Sequence, residues 1–162
     1  MSGSRKLLII SGLALAIWGM SFGLYYALVV EHQTLDKIGR SLATSFVRGA
    51  QGDLLAAHES LQTYADTQYE YVRSVDVHSH WIGLAMLLIV FGVVFDHVSF
   101  PESRRMLLAW MLVVGSVTFP IGVILQTLDR GFIPRAVAAA GAGLVIIALA
   151  AIVPGLARIE RD

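Results

Sequence analysis

The stretch VDVHSHWIGLAMLLIVFG, residues 75–92, sets Asp76, His78 and His80 directly before a long run without a charge. Imidazole is the commonest neutral ligand for zinc, copper and haem iron. A carboxylate beside such a ring can hold its second nitrogen and fix its orientation. In a helix, residues two apart point about 200° apart, so His78 and His80 cannot both face one metal. In an extended segment Asp76, His78 and His80 would share a side. Within a helix, Asp76 and His80 are i, i+4 neighbours. That spacing makes Asp76 the orienting group and His80 the stronger ligand. His32 and His58 lie in the segment before this stretch and are candidate further ligands. The binding set expected from residue type is therefore His78, His80, Asp76, His32 and His58, with His78 and His80 on a metal. The plainer reading is that these side chains bond water, lipid headgroups and neighbouring acids where a membrane begins.

The membrane follows from what must position them. The chain has 162 residues, of which 56% are hydrophobic and 15% charged. Its mean hydropathy is +0.70. A soluble domain is about 45–50% apolar and about 25% charged, so the excess must face lipid. Four spans are expected, at about residues 7–29, 78–97, 106–126 and 136–156. A hydrocarbon core of about 30 Å takes about 20 helical residues. The uncharged part of the second span, Trp81 to Phe95, covers only about 22 Å, which draws the histidines towards the headgroup border. Arg5 and Lys6 before the first span resemble a signal peptide's basic region, but the apolar run is too long and no convincing cleavage site follows. An uncleaved span is expected.

Arg5, Lys6, Arg104, Arg105, Arg158 and Arg161 fall on one side of a four-span chain. The basic residues on the other side lie mostly in a long loop, where they count less. Both termini are thus expected in the cytoplasm of a cell whose inner (plasma) membrane holds the chain. Arg130 and Arg135, in a short loop, argue weakly the other way. Residues 31–77 form too long a connection for a turn. Leu35, Ile38, Leu42 and Phe46 recur at helical spacing, as do Leu54, His58, Leu61, Ala65, Tyr69 and Val72. The glycines of RGAQGD, residues 48–53, break that pattern. The expected fold is an all-α integral membrane protein, one membrane domain over residues 1–162. It has four transmembrane helices and an outer, periplasmic helical hairpin between the first and second. Symmetry about residues 50–52 would put His32 about one to two turns above His78.

Several classes of function are excluded or disfavoured. There is no cysteine, so disulfides, thiolate metal sites and covalent haem attachment are ruled out. The formal net charge is +0, giving no case for nucleic acid. No acid, lysine or arginine lies near the centre of any span, against a pump or coupled transporter. Gly19 and Gly23 form a GxxxG and residues 136–143 are small. Such positions let helices approach closely in lipid; packing within the bundle is the plain reading, and a homo-oligomer through Gly19 and Gly23 the other. Pro120 is expected to kink the third span. A kink can open a cofactor or quinone pocket, although most such prolines are structural.

HSHWIGLAMLLIVFG resembles the His-x-His-x-x-Gly start of a helix in haem–copper membrane proteins related to cbb3-type oxidase subunit I and the NnrS family. A Gly/Pro-containing helix, here VVGSVTFPIGVILQ, follows in both. The resemblance covers residues 75–126. It implies that His78 or His80 ligates haem b or copper; it does not imply oxygen reduction, since the many helices of an oxidase subunit are missing. Two readings follow. One is a haem- or metal-binding redox accessory that holds its ligand near the outer membrane face. The other is a non-catalytic structural or assembly subunit without a cofactor. In both, the partners are the lipid bilayer and a respiratory or other membrane complex, and no independent catalytic activity is expected.

Overall fold

The computed structural model describes residues 1–157, and among these there is no strand. Helix α1 spans Gly3–Tyr25, α2 Glu31–Ala50, α3 Leu54–Val94, α4 Glu102–Leu125 and α5 Phe132–Leu156. A π turn, Tyr26–Val30, joins α1 to α2, so the chain stays helical from Gly3 to Ala50. A 3₁₀ turn, Phe95–His97, closes α3. Four stretches are long and apolar enough to cross a membrane: Gly3–Ala50, Leu54–His97, Glu102–Leu125 and Phe132–Leu156. Arg158 and Arg161, which count towards the expected orientation, lie outside the described residues.

The ends of the helices follow from local chemistry. The Ser2 hydroxyl accepts from the Arg5 amide and starts α1, and the Asp53 carboxylate accepts from the Ala56 amide and starts α3. Gly52 takes φ +80° between α2 and α3, a left-handed conformation that a side chain would strain. Pro134 sits in the first turn of α5, where no intrahelical donor is missed. Pro120 and Pro154 both lie within helices: α4 runs through Pro120 to Leu125, and α5 ends at Leu156, two residues after Pro154.

Small residues decide how the helices pack. A Cβ on Gly12 would lie 2.7 Å from Ile89, and one on Gly92 would lie 2.6 Å from Ile9, so α1 and α3 meet almost backbone to backbone. Gly115, Gly122 and Gly141 do the same for α4 and α5. Between α1 and α3, Trp81 is buried with its ring edge-on to Trp18 (5.9 Å) and to Phe22 (5.1 Å). At one end of the bundle, Asp96 receives the Ser2 hydroxyl and pairs with Arg5 at 3.2 Å and Arg105 at 3.8 Å. Glu102 accepts from the Ser4 amide at 2.8 Å. This clasp ties the start of α1 to both ends of the α3–α4 connection.

Beyond the bundle, α2 lies antiparallel against the first half of α3. Glu31 meets Tyr71 near its base, and Gly49 meets Ala57 near its tip. The packed face is polar. Ser41 and Thr67 are its buried members, and their hydroxyls return to the Lys37 and Thr63 carbonyls of their own helices at 2.8 Å. Satisfied in this way, small hydroxyl residues let two helices approach without an orphaned polar atom. The apolar residues that recur through the same helices, Leu35, Phe46, Leu54, Leu61 and Val72, are exposed instead.

Candidate functional site

Helix α3 is continuous from Leu54 to Val94, so Asp76, His78 and His80 are helical and diverge as helical geometry requires. His78 turns towards α1. Its ring sits against Gly23, where a Cβ would come closest to Cε1 and within 2.5 Å of Nδ1 and 2.9 Å of Nε2. Its Nδ1 lies 3.0 Å from the Gly19 carbonyl oxygen. A carbonyl only accepts, so Nδ1 carries a hydrogen and donates it. The GxxxG of α1 is therefore the seat of α3 within the chain: Gly23 takes the His78 ring and Gly19 takes Trp81 and Ile82.

His80 turns towards α4, and its ring packs on Phe119 with centroids 4.6 Å apart. Asp76 does not reach His80; it pairs with Arg73 at 3.3 Å. His32 and His58 are exposed, the first in the opening turn of α2 and the second near the start of α3. His58 stands about 30 Å along α3 from His78. His97, at the clasp end, is exposed with Nδ1 3.3 Å from the Val94 carbonyl. Among the described residues no three His, Asp or Glu side chains come together as metal ligands. The donors thus do not fit a joint site: a metal held by both His78 and His80 would require a turn of α3 to unwind.

What surrounds His78 was not legible from the histidines alone. A cleft of about 270 Å³ opens beside it, lined by Gly23, Tyr26, Glu31, Tyr71 and Ser74. The Tyr71 hydroxyl donates to Glu31 Oε1 at 3.3 Å, and the Tyr26 and Tyr71 rings lie 6.4 Å apart. Tyr26 opens the π turn, in which the Glu31 amide donates five residues back to the Tyr26 carbonyl. Single π turns within α-helices often lie at functional positions. The available signal was aromatic: Tyr25 and Tyr26 follow the first apolar run, and Tyr69 and Tyr71 precede the second, as tyrosines do at membrane borders.

On the other side of α3, Tyr69 lies under two guanidinium groups, Arg130 at 4.3 Å and Arg73 at 5.0 Å. Arg130 also pairs with Asp66 at 2.9 Å, which ties the α4–α5 connection to α3. Lower down, an apolar cleft of about 570 Å³ opens between α1, α3 and α4, with Val117 and Ile121 flanking Pro120. Among its lining residues only Ser11, Trp18 and Trp81 carry a polar side-chain atom. No family model, curated protein or solved structure matches the chain.

Proposed function

We propose that this protein is a non-catalytic structural or assembly subunit of a membrane complex. It lies in the inner (plasma) membrane with both termini in the cytoplasm and the α2–α3 pair outside. The orientation rests on Arg5, Lys6, Arg104 and Arg105 at one end of the bundle. One observation carries the functional reading. The two histidines of the stretch are engaged in holding helices together, His78 on Gly19 of α1 and His80 on Phe119 of α4, while Asp76 pairs with Arg73 of its own helix. Side chains engaged in packing define a scaffold.

The second reading, a haem- or metal-binding redox accessory, draws on the state of His78. Its Nδ1 is fixed by a backbone carbonyl, and His78 borders a cleft with Glu31 and two tyrosines. Outer-shell hydrogen bonding of this kind orients ligating histidines. Residue spacing favours His80 as the ligand; the geometry favours His78.

Purified protein tests both. The scaffold reading expects no Soret band, and iron, copper and zinc well below one per chain. It also expects His78→Ala to lower thermal stability without changing the spectrum. A Soret band or stoichiometric metal that disappears in His78→Ala would overturn it in favour of the accessory.

A further inference from the structure

The α2–α3 pair has two unlike sides. On α2, Thr34, Ile38, Ser41 and Ser45 face α3, and Leu35, Leu42 and Phe46 lie about 90° further round. On α3, Ser60, Tyr64, Thr67 and Tyr71 face α2, and Leu54, Leu61, Ala65 and Val72 lie about 110° further round. The helices are antiparallel, so both rotations lead to the same side of the pair. That side carries no charged residue between Leu35 and Ala50 or between Leu54 and Val75. The charges Asp36, Lys37, Arg40, Glu59, Asp66 and Glu70 lie on the opposite side, where Arg130 also docks. The uncharged side is bare: Phe46 is 70% exposed, Leu54 73%, Leu61 47% and Val72 45%. Water-exposed apolar surface of this extent and continuity marks an interface.

We propose that this side of the α2–α3 pair is the interface between two copies of this chain. Three features select a second copy as the occupant. The exposed row on α3 is Leu54, His58, Leu61, Ala65, Gln68, Val72, Val75 and Ser79, alternating steps of four and three residues. This is the spacing of a coiled-coil seam. Copies inserted in one orientation run their α3 helices parallel, so a twofold axis along the membrane normal sets each residue of the row against its own counterpart. An isologous contact repeats every charge against itself, and this face has none to repeat, while His58 and Gln68 meet their own copies and pin the register. The size is also appropriate. Two adjacent helices about 30 Å long give a face of roughly 600 Å², close to the roughly 800 Å² per partner of a stable interface. The row continues into the membrane as exposed Met86, Val90 and Val93, which adds to it. The four outer helices of the dimer form one bundle, with the apolar rows inside. Gly19 and Gly23 take no part, being filled by α3.

The inference rests on the pair standing outside the bilayer, which labelling at Gln51 tests separately. The absence of cysteine makes the dimer directly testable by oxidative cross-linking in native membranes. Leu61→Cys, Ala65→Cys and Val72→Cys should each give a covalent dimer. Glu59→Cys, Thr63→Cys and Glu70→Cys, on the charged side, should remain monomeric. Adding Leu61→Asp to Val72→Cys should abolish its dimer while the circular dichroism spectrum stays helical, because Leu61 makes no contribution to the buried core. Equal cross-linking on both sides, cross-links only to a protein of different mass, or monomer at every position would each overturn the proposal. So would quenching by lipid nitroxides of a fluorophore attached to the Leu61→Cys variant, which would lay this face on the membrane surface.

Discussion

His78 is the residue on which the junction between bundle and outer pair turns. Its ring occupies the space that two hydrogens leave at Gly23, and its Nδ1 is bound at Gly19. Gly23→Ala must push the ring out, at a cost of about 1–3 kcal/mol for overpacking. In a His78→Ala background the same methyl meets open space and should cost little. The two substitutions should therefore couple by about 0.5–3 kcal/mol in a double-mutant cycle measured by thermal unfolding in detergent. Additive effects would mean that the ring does not sit on Gly23. At this scale residue type alone was a partial guide. The helical divergence of His78 and His80 was legible from a spacing of two. The partners were not, because Gly19, Phe119 and Arg73 are chosen by which helices pack on which face of α3. The i, i+4 spacing of Asp76 and His80 permits a bond; the competing i−3 guanidinium of Arg73 takes the carboxylate instead.

Elements here are joined through their smallest residues, and that makes glycines unequal. A Cβ on Gly122 would stand 2.6 Å from Ala138 Cα, on the backbone of α5, which cannot move aside. Gly83 meets nothing within 4 Å. Gly122→Ala should thus destabilise by about 1–3 kcal/mol through overpacking. Gly83→Ala should be neutral or stabilise by up to about 1 kcal/mol, as alanine does in a helix interior. Melting temperatures of the two variants check the contrast; equal shifts would deny the close α4–α5 contact. The same elements show where periodicity misleads. Leu35, Ile38, Leu42 and Phe46 on α2 recur at helical spacing, as do Leu54, Leu61 and Val72 on α3, and suggest the faces on which the two helices pack, yet of these only Ile38 is among the residues that face the partner helix. The pair packs instead through Ser41 and Thr67. An apolar stripe reports that a face leaves water, not which neighbour covers it, and self-satisfied serines and threonines leave no hydrophobic signal.

At the scale of the whole molecule, the four apolar helices were plain from the sequence because the bilayer demands long uncharged runs that soluble folds seldom contain. The helix boundaries were not, since α1 with α2, and α3 alone, each run far past the length a bilayer needs. At about 62 Å, the 41 residues of α3 are twice the thickness of a hydrocarbon core. Continuity arises because nothing in residues 70–80 breaks a helix: no glycine or proline interrupts the passage from Glu70 to His80. In the proposed placement, a rigid rod of this kind would carry the α2–α3 pair out of the bilayer with no flexible joint at the surface. That placement underlies the scaffold, the orientation of the His78 cleft and the paired outer helices alike. Single cysteines introduced into the cysteine-free chain and treated with a membrane-impermeant maleimide on intact cells test it most directly. Gln51→Cys should label at once, and Ser2→Cys and Ser103→Cys only after the membrane is opened. Labelling of Ser2→Cys and Ser103→Cys on intact cells, with Gln51→Cys protected, would contradict it.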